Sequence, residues 1–128
     1  VSAAGPLTNF GVAVFAALIY RAALFSVPEL VLGDEVLAAA FRGFTSLLVI
    51  INLSLGLFNL LPLFPLDGSH MAENLLPLEA AYSFKKFNQE YGATILFGLI
   101  ALGAFTRFSV LGLVLGPLIE RGYRFLLG

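Results

Sequence analysis

One carboxylate in this sequence occupies a position that a membrane helix rarely offers. Asp67 lies near the end of the stretch NLLPLFPLDG, residues 59–68, which follows a long apolar run. An ionisable residue inside a bilayer is costly, so it needs a partner or a function. The two prolines of the stretch free backbone carbonyls, which is tolerated only where the backbone lines protein or a polar cavity. The stretch therefore predicts a broken membrane helix that delivers Asp67 to a site.

The chemistry of Asp67 has two interpretations. Asp67 and Gly68 form a common turn pair, so the aspartate could simply cap a helix or a turn just beyond a membrane span. A carboxylate can instead be an oxygen ligand for zinc, next to histidines. The prolines and the polar face of the preceding helix favour the site. His70 would share a helical face with Asp67, but a polar residue at the membrane interface is the simpler interpretation of that histidine.

Composition defines the class of protein. The chain has 128 residues, of which 59% are hydrophobic and 12% charged, whereas soluble domains have roughly 25% charged residues. We therefore predict one all-α domain within a lipid bilayer. The formal net charge of −1 argues against a nucleic-acid partner. The absence of cysteine excludes disulfides, a thiol nucleophile and a cysteine-type metal site.

The apolar runs predict a polytopic transmembrane bundle of three to four helices. A spanning helix needs about 20 apolar residues, and the runs place helices at about 7–27, 43–61, 92–106 and 108–120. The second helix is expected to be broken by proline at Asn59–Asp67. Arg107 interrupts the last apolar stretch, and we favour two helices on either side of it over one long helix.

Two helix faces carry small or polar residues at helical spacing. The first helix repeats such residues every four positions, which suits close packing in lipid: Gly5, Asn9, Ala13 and Ala17. The second helix carries a polar face that should contact other helices rather than lipid: Thr45, Asn52, Gly56 and Asn59. Asn52 is expected to bind a neighbouring helix. Asn59 could hydrogen-bond across helices or hold a substrate backbone near a metal.

Two motifs resemble those of the site-2 protease family, the intramembrane zinc metalloproteases of peptidase family M50. AGPLTN at residues 4–9 is similar to the family's AGPxxN segment, and residues 59–68 are similar to its NxxPxPxxDG segment. Their order and spacing fit, and the resemblance covers nearly the whole chain. It implies that Asp67 is the third ligand of a catalytic Zn²⁺. It also implies regulated intramembrane proteolysis, with a transmembrane segment of another protein as the substrate.

One departure from the family bears directly on catalysis. The family's HExxH motif, in which two histidines bind zinc and a glutamate acts as general base, is not present in residues 1–128. We expect it upstream of Val1, because the first residues read as the middle of a protein. Residues 1–128 would then form a partial membrane-embedded metalloprotease domain that is inactive alone. The alternative is a non-catalytic membrane scaffold or pseudoprotease that binds transmembrane partners.

The resemblance to the short bacterial and archaeal branch of the family, over residues 76–92, implies an integral protein of a prokaryotic cell membrane. Lysine and arginine are enriched in short cytoplasmic loops. Lys85 and Lys86 lie in the loop after Asp67, whereas the loop before the second helix has Arg42 alone. This difference predicts that the Asp67 end faces the cytoplasm. The sequence makes no prediction about oligomeric state.

Overall fold

The computed structural model describes residues 4–128, and every regular element in this range is a helix. A π-helical segment, Asn88–Gly92, joins α5 to α6 without interruption. The helices in chain order are α1 Ala4–Ser26, α2 Pro28–Leu32, α3 Val36–Asn59, α4 Asp67–Leu75, α5 Leu78–Phe87, α6 Ala93–Phe105 and α7 Val110–Leu127. The predicted all-α class is confirmed. The predicted break is also observed, since α3 ends at Asn59 and α4 begins at Asp67.

Two helices, α1 and α3, are long and apolar enough to cross a membrane within residues 4–128. The helix from Leu78 to Phe105 and α7 give a third span if they are counted together, although they meet at an angle of 85°. The expected division on either side of Arg107 is therefore present. Ser109 helps to begin the new helix, because its Oγ accepts a hydrogen bond from the Gly112 N–H at 3.0 Å.

The helices α1 and α3 form an antiparallel pair. The Phe10 ring lies against Gly56, and the Tyr20 ring stacks on Phe41 with centroids 6.3 Å apart. Residue numbers thus rise along α1 as they fall along α3. Of the four residues expected to pack closely on α1, Ala13 and Ala17 are in the core, whereas Gly5 and Asn9 are only partly buried. The core consists of Ala13, Ala16, Ala17, Val49 and Leu53.

The helix α7 packs across this pair. Gly122 lies against Leu53, and the Tyr123 hydroxyl is 3.0 Å from the Ser46 hydroxyl. Most of the remaining large apolar side chains face outward, such as Phe25 and Phe105 with 86% and 89% exposure. Extensive apolar surface of this kind suits lipid rather than water as the surroundings.

The start of α3 differs from the prediction. The second span was expected to begin near residue 43, after Arg42, but α3 begins at Val36. Arg42 is half-buried within the helix, and its Nη1 donates to the carbonyls of Val31 and Gly33 at 2.7 and 2.8 Å. Because the guanidinium satisfies carbonyls at the end of α2, the charge is accommodated inside the helix and does not mark its end.

The two ends of the helix pair differ in the residues that surround them. The site end comprises Gly5, the loop at residues 60–66 and Asp67. The distal end comprises α2, Arg21, Arg42 and the carboxyl end of α7. Arg21 binds the Leu126 and Phe125 carbonyls at this distal end, so Arg21 and Arg42 both bind backbone, whereas Arg124 of α7 pairs with Glu120 at 2.6 Å. The predicted orientation of the site end toward the cytoplasm stays a prediction.

Candidate functional site

Asp67 is the first residue of α4, and its side chain does not cap the helix. The N-cap position is Leu66, which makes no side-chain cap. None of the side-chain hydrogen bonds formed among residues 4–128 involves the Asp67 carboxylate. The carboxylate is nevertheless half-buried. The interpretation of Asp67 as a structural cap is therefore not supported.

The Asp67 carboxylate lies against the first turn of α1. A Cβ atom placed on Gly5 would be only 2.5 Å from Asp67 Oδ2. The close approach is possible because glycine leaves the backbone uncovered at this point. The two sequence motifs that flank the first and second spans therefore meet at one place, the site end of the helix pair.

The first turn of α4 rests directly on the loop at residues 60–66. Gly68 is buried, and a Cβ atom there would collide with the backbone carbonyls of Leu60 and Leu61. Ser69 is completely buried, and its hydroxyl donates to the Leu66 carbonyl at 2.7 Å. The position of Asp67 is therefore set by the path of the loop beneath it.

The loop is held in turn by Asn88, from the π-helical segment. The Phe64 N–H donates to Asn88 Oδ1 at 3.0 Å, and Asn88 Nδ2 donates to the Pro62 carbonyl at 3.2 Å. The side chain is 2% exposed. Sequence reasoning missed this residue. Its one signal, an asparagine four residues before Gly92 where the chain turns apolar, is too common at membrane interfaces to single it out.

None of the other polar residues singled out by sequence forms a hydrogen bond with Asp67 within residues 4–128. Asn59 ends α3, half-buried, and forms no side-chain hydrogen bond within residues 4–128. Asn52 donates to the Leu48 carbonyl of its own helix at 2.8 Å, so the expected bond to a neighbouring helix is not formed. His70 is half exposed, with Nδ1 3.9 Å from Glu73 Oε2.

The donor set can be tested against the requirements of zinc. Zinc in catalytic sites takes three protein ligands, commonly histidines with a carboxylate. Within residues 4–128 no group of three histidine, cysteine, aspartate or glutamate side chains could hold a metal ion. Asp67, half-buried and without a hydrogen bond from these residues, fits one oxygen ligand. The histidines that complete such a set would have to be supplied from elsewhere.

The fold and this site define a class: a polytopic helical membrane protein with a carboxylate presented at a proline-broken helix. Residues 22–103 match the family described as Peptidase family M50, so the chain belongs to that family, which comprises the site-2 proteases. The match includes the loop and Asp67, and it begins after the motif at residues 4–9. No curated protein and no solved structure matches the chain.

Proposed function

We propose that this chain forms part of an intramembrane zinc metalloprotease that hydrolyses peptide bonds in transmembrane segments of other proteins, with Asp67 as one zinc ligand. The observation that carries the proposal is the contact of Asp67 Oδ2 with Gly5, which joins the two family motifs. Membership of family M50 supports a protease-related role. The lack of a hydrogen-bond partner for this carboxylate within residues 4–128 supports its use as a ligand.

The residues of the chain have distinct parts in this proposal. Asp67 would hold the metal together with two histidines of an HExxH motif outside residues 1–128, whose glutamate would act as general base. Zinc, when bound, lowers the pKa of a water ligand toward about 7 and polarises the scissile carbonyl. Asn59 would hold the backbone of the unwound substrate. Pro62 and Pro65, both exposed in the loop, would keep the helix broken and admit water.

The proposal includes a location in a prokaryotic cell membrane, with the site end toward the cytoplasm. Lys85 and Lys86 at the end of α5 support this orientation. Residues 1–128 have no cysteine, so Ser83→Cys adds one thiol at a known position, and the unsubstituted protein gives the background of labelling. Labelling of that cysteine by a membrane-impermeant reagent from outside intact cells would contradict the orientation.

The ligand assignment is tested with Asp67→Ala and Asp67→Asn in the full-length protein. Loss of a direct ligand should weaken zinc binding by more than the 10–100-fold that is typical of outer-shell partners. Zinc content per protein and cleavage of a transmembrane reporter should both fall to background. Asp34→Asn is the matched control, because Asp34 is exposed in the connection before α3, and it should leave both quantities unchanged.

Two outcomes would contradict the proposal. Wild-type zinc content and cleavage in Asp67→Ala would show that this residue is not a ligand. A full-length wild-type protein that binds no zinc, yet retains transmembrane partners during purification in mild detergent, would instead favour the non-catalytic scaffold.

A further inference from the structure

The loop at residues 60–66 lacks two of the donors that backbone normally supplies. Pro62 and Pro65 have no N–H group, and buried backbone groups in the loop must still find partners. Several do so locally: the N–H groups of Leu60, Leu61 and Leu66 donate to carbonyls three residues earlier at 2.8–3.1 Å. The carbonyl of Pro62 and the N–H of Phe64 are instead satisfied by the Asn88 side chain.

The partners of Asn88 fix the orientation of its amide. The Phe64 N–H can only donate and the Pro62 carbonyl can only accept, so Oδ1 must face the first and Nδ2 the second. The amide thus takes the place of a neighbouring backbone across the break. The amide binds one group on each side of Leu63 and therefore holds the loop at two points.

The π-helical segment provides the space that this arrangement needs. A Cβ atom on Gly92 would collide with Asn88 Oδ1 and would stand 3.0 Å from the Phe64 nitrogen. Both Asn88 and Gly92 are buried. Single π-helical turns within α-helices frequently occur at functional sites. Here the wider turn and the glycine together allow one helix to bring a polar side chain against the loop that precedes Asp67.

We infer that Asn88 is a positioning residue for Asp67: by fixing the loop through Pro62 and Phe64, it sets where α4 begins and therefore where the carboxylate lies. Asn88 binds Phe64 in the loop, and the Leu60 and Leu61 carbonyls of the same loop lie against Gly68 in the first turn of α4. The loop thus connects Asn88 to the start of α4. The inference rests on the proposed function, in which Asp67 binds zinc. Asn88 itself would touch neither metal nor substrate.

The test uses Asn88→Leu, which removes both hydrogen bonds at similar size, and Asn88→Asp, which keeps the acceptor but loses the donor to Pro62. Gln89→Leu is the matched control, since Gln89 is an exposed amide in the same segment. The first readout is amide hydrogen exchange of residues 60–66 in the zinc-free full-length protein. Loss of one such bond should speed exchange about five- to tenfold. The second readout is the rate of zinc loss to a chelator, which should rise about tenfold or more.

The outcomes separate this inference from the proposed function. If Asp67→Ala keeps its zinc, the ligand assignment is wrong, whatever Asn88 does. If Asp67→Ala loses zinc, either of two results overturns the inference. In the first, amide exchange of residues 60–66 is unchanged in both Asn88 variants. In the second, exchange is faster but zinc is lost to the chelator at the wild-type rate. Should Asn88→Leu fail to fold, Asn88→Asp and Gly92→Ala decide. Gly92→Ala displaces the amide without altering it and should raise both rates, whereas wild-type rates in a folded variant count against the inference.

Discussion

The two ends of the α1–α3 pair satisfy their polar groups in opposite ways. At the distal end, charged side chains bind backbone: Arg42 donates to Val31 and Gly33, and Arg21 donates to the last carbonyls of α7. At the site end a neutral amide, Asn88, binds the backbone. The charged group there, Asp67, has no hydrogen bond from residues 4–128. The distal cations thus supply donors that helix ends need, whereas no donor among residues 4–128 binds the carboxylate.

The difference matters because of the surroundings. A half-buried carboxylate beside membrane-spanning helices loses much of its hydration, and such a group is costly without a partner. Cations at helix carboxyl ends also gain from the helix dipole, which stabilises them by about 0.3–1 kcal/mol. Asp67 gains from the helix dipole in the same way, because it lies in the first turn of α4 and against the first turn of α1. Unlike the two arginines, however, its charged group has no hydrogen-bond partner within residues 4–128. This contrast supports the proposal that a cation from outside residues 4–128 completes the site end.

The largest effect is expected at Gly68. In Gly68→Ala the new methyl group would collide with the Leu60 and Leu61 carbonyls, and backbone cannot move aside as a flexible side chain can. We expect the free energy of unfolding in mixed detergent micelles to fall by about 3 kcal/mol, the upper part of the range for overpacking. Gly98→Ala is the control, since nothing lies within 4 Å of its Cβ position. An equal loss in both variants would show that the loop does not support α4 as described.

A smaller effect is expected at the distal end from Arg42→Met. The substitution keeps an apolar stem but leaves the Val31 and Gly33 carbonyls without their donor, so the free energy of unfolding should fall by about 2 kcal/mol. Zinc content of the full-length protein should not change, because the distal end has no part in the proposed site. Arg107→Met is the control, since Arg107 is exposed between α6 and α7. Loss of zinc in a folded Arg42→Met protein would contradict the separation of the two ends.

Sequence reasoning succeeded where the signal is local. The repeated small residues predicted the buried positions Ala13 and Ala17, and the prolines predicted the break before Asp67. It failed at Arg42 and Asn88, whose partners lie 9–11 and 24–26 residues away. An arginine in an apolar sequence looks the same whether it ends a helix or donates to a neighbouring one. An amide at a helix junction gives no sign of the loop that it will bind.

The smallest effect on stability, and the most selective effect on the site, is expected from Gly5→Ala. The methyl group would displace Asp67 Oδ2, which lies 2.5 Å from that position. Alanine is the better helix former, by at most about 1 kcal/mol, so stability should hold or rise slightly. Zinc affinity, measured by chelator competition, should fall about tenfold, as for other changes next to a ligand. Gly11→Ala adds the same methyl group to α1 in open space and should leave zinc affinity unchanged. Equal affinities in the two variants would mean that the meeting of Gly5 and Asp67 is only a packing contact, and that the site end differs from the distal end in charge but not in function.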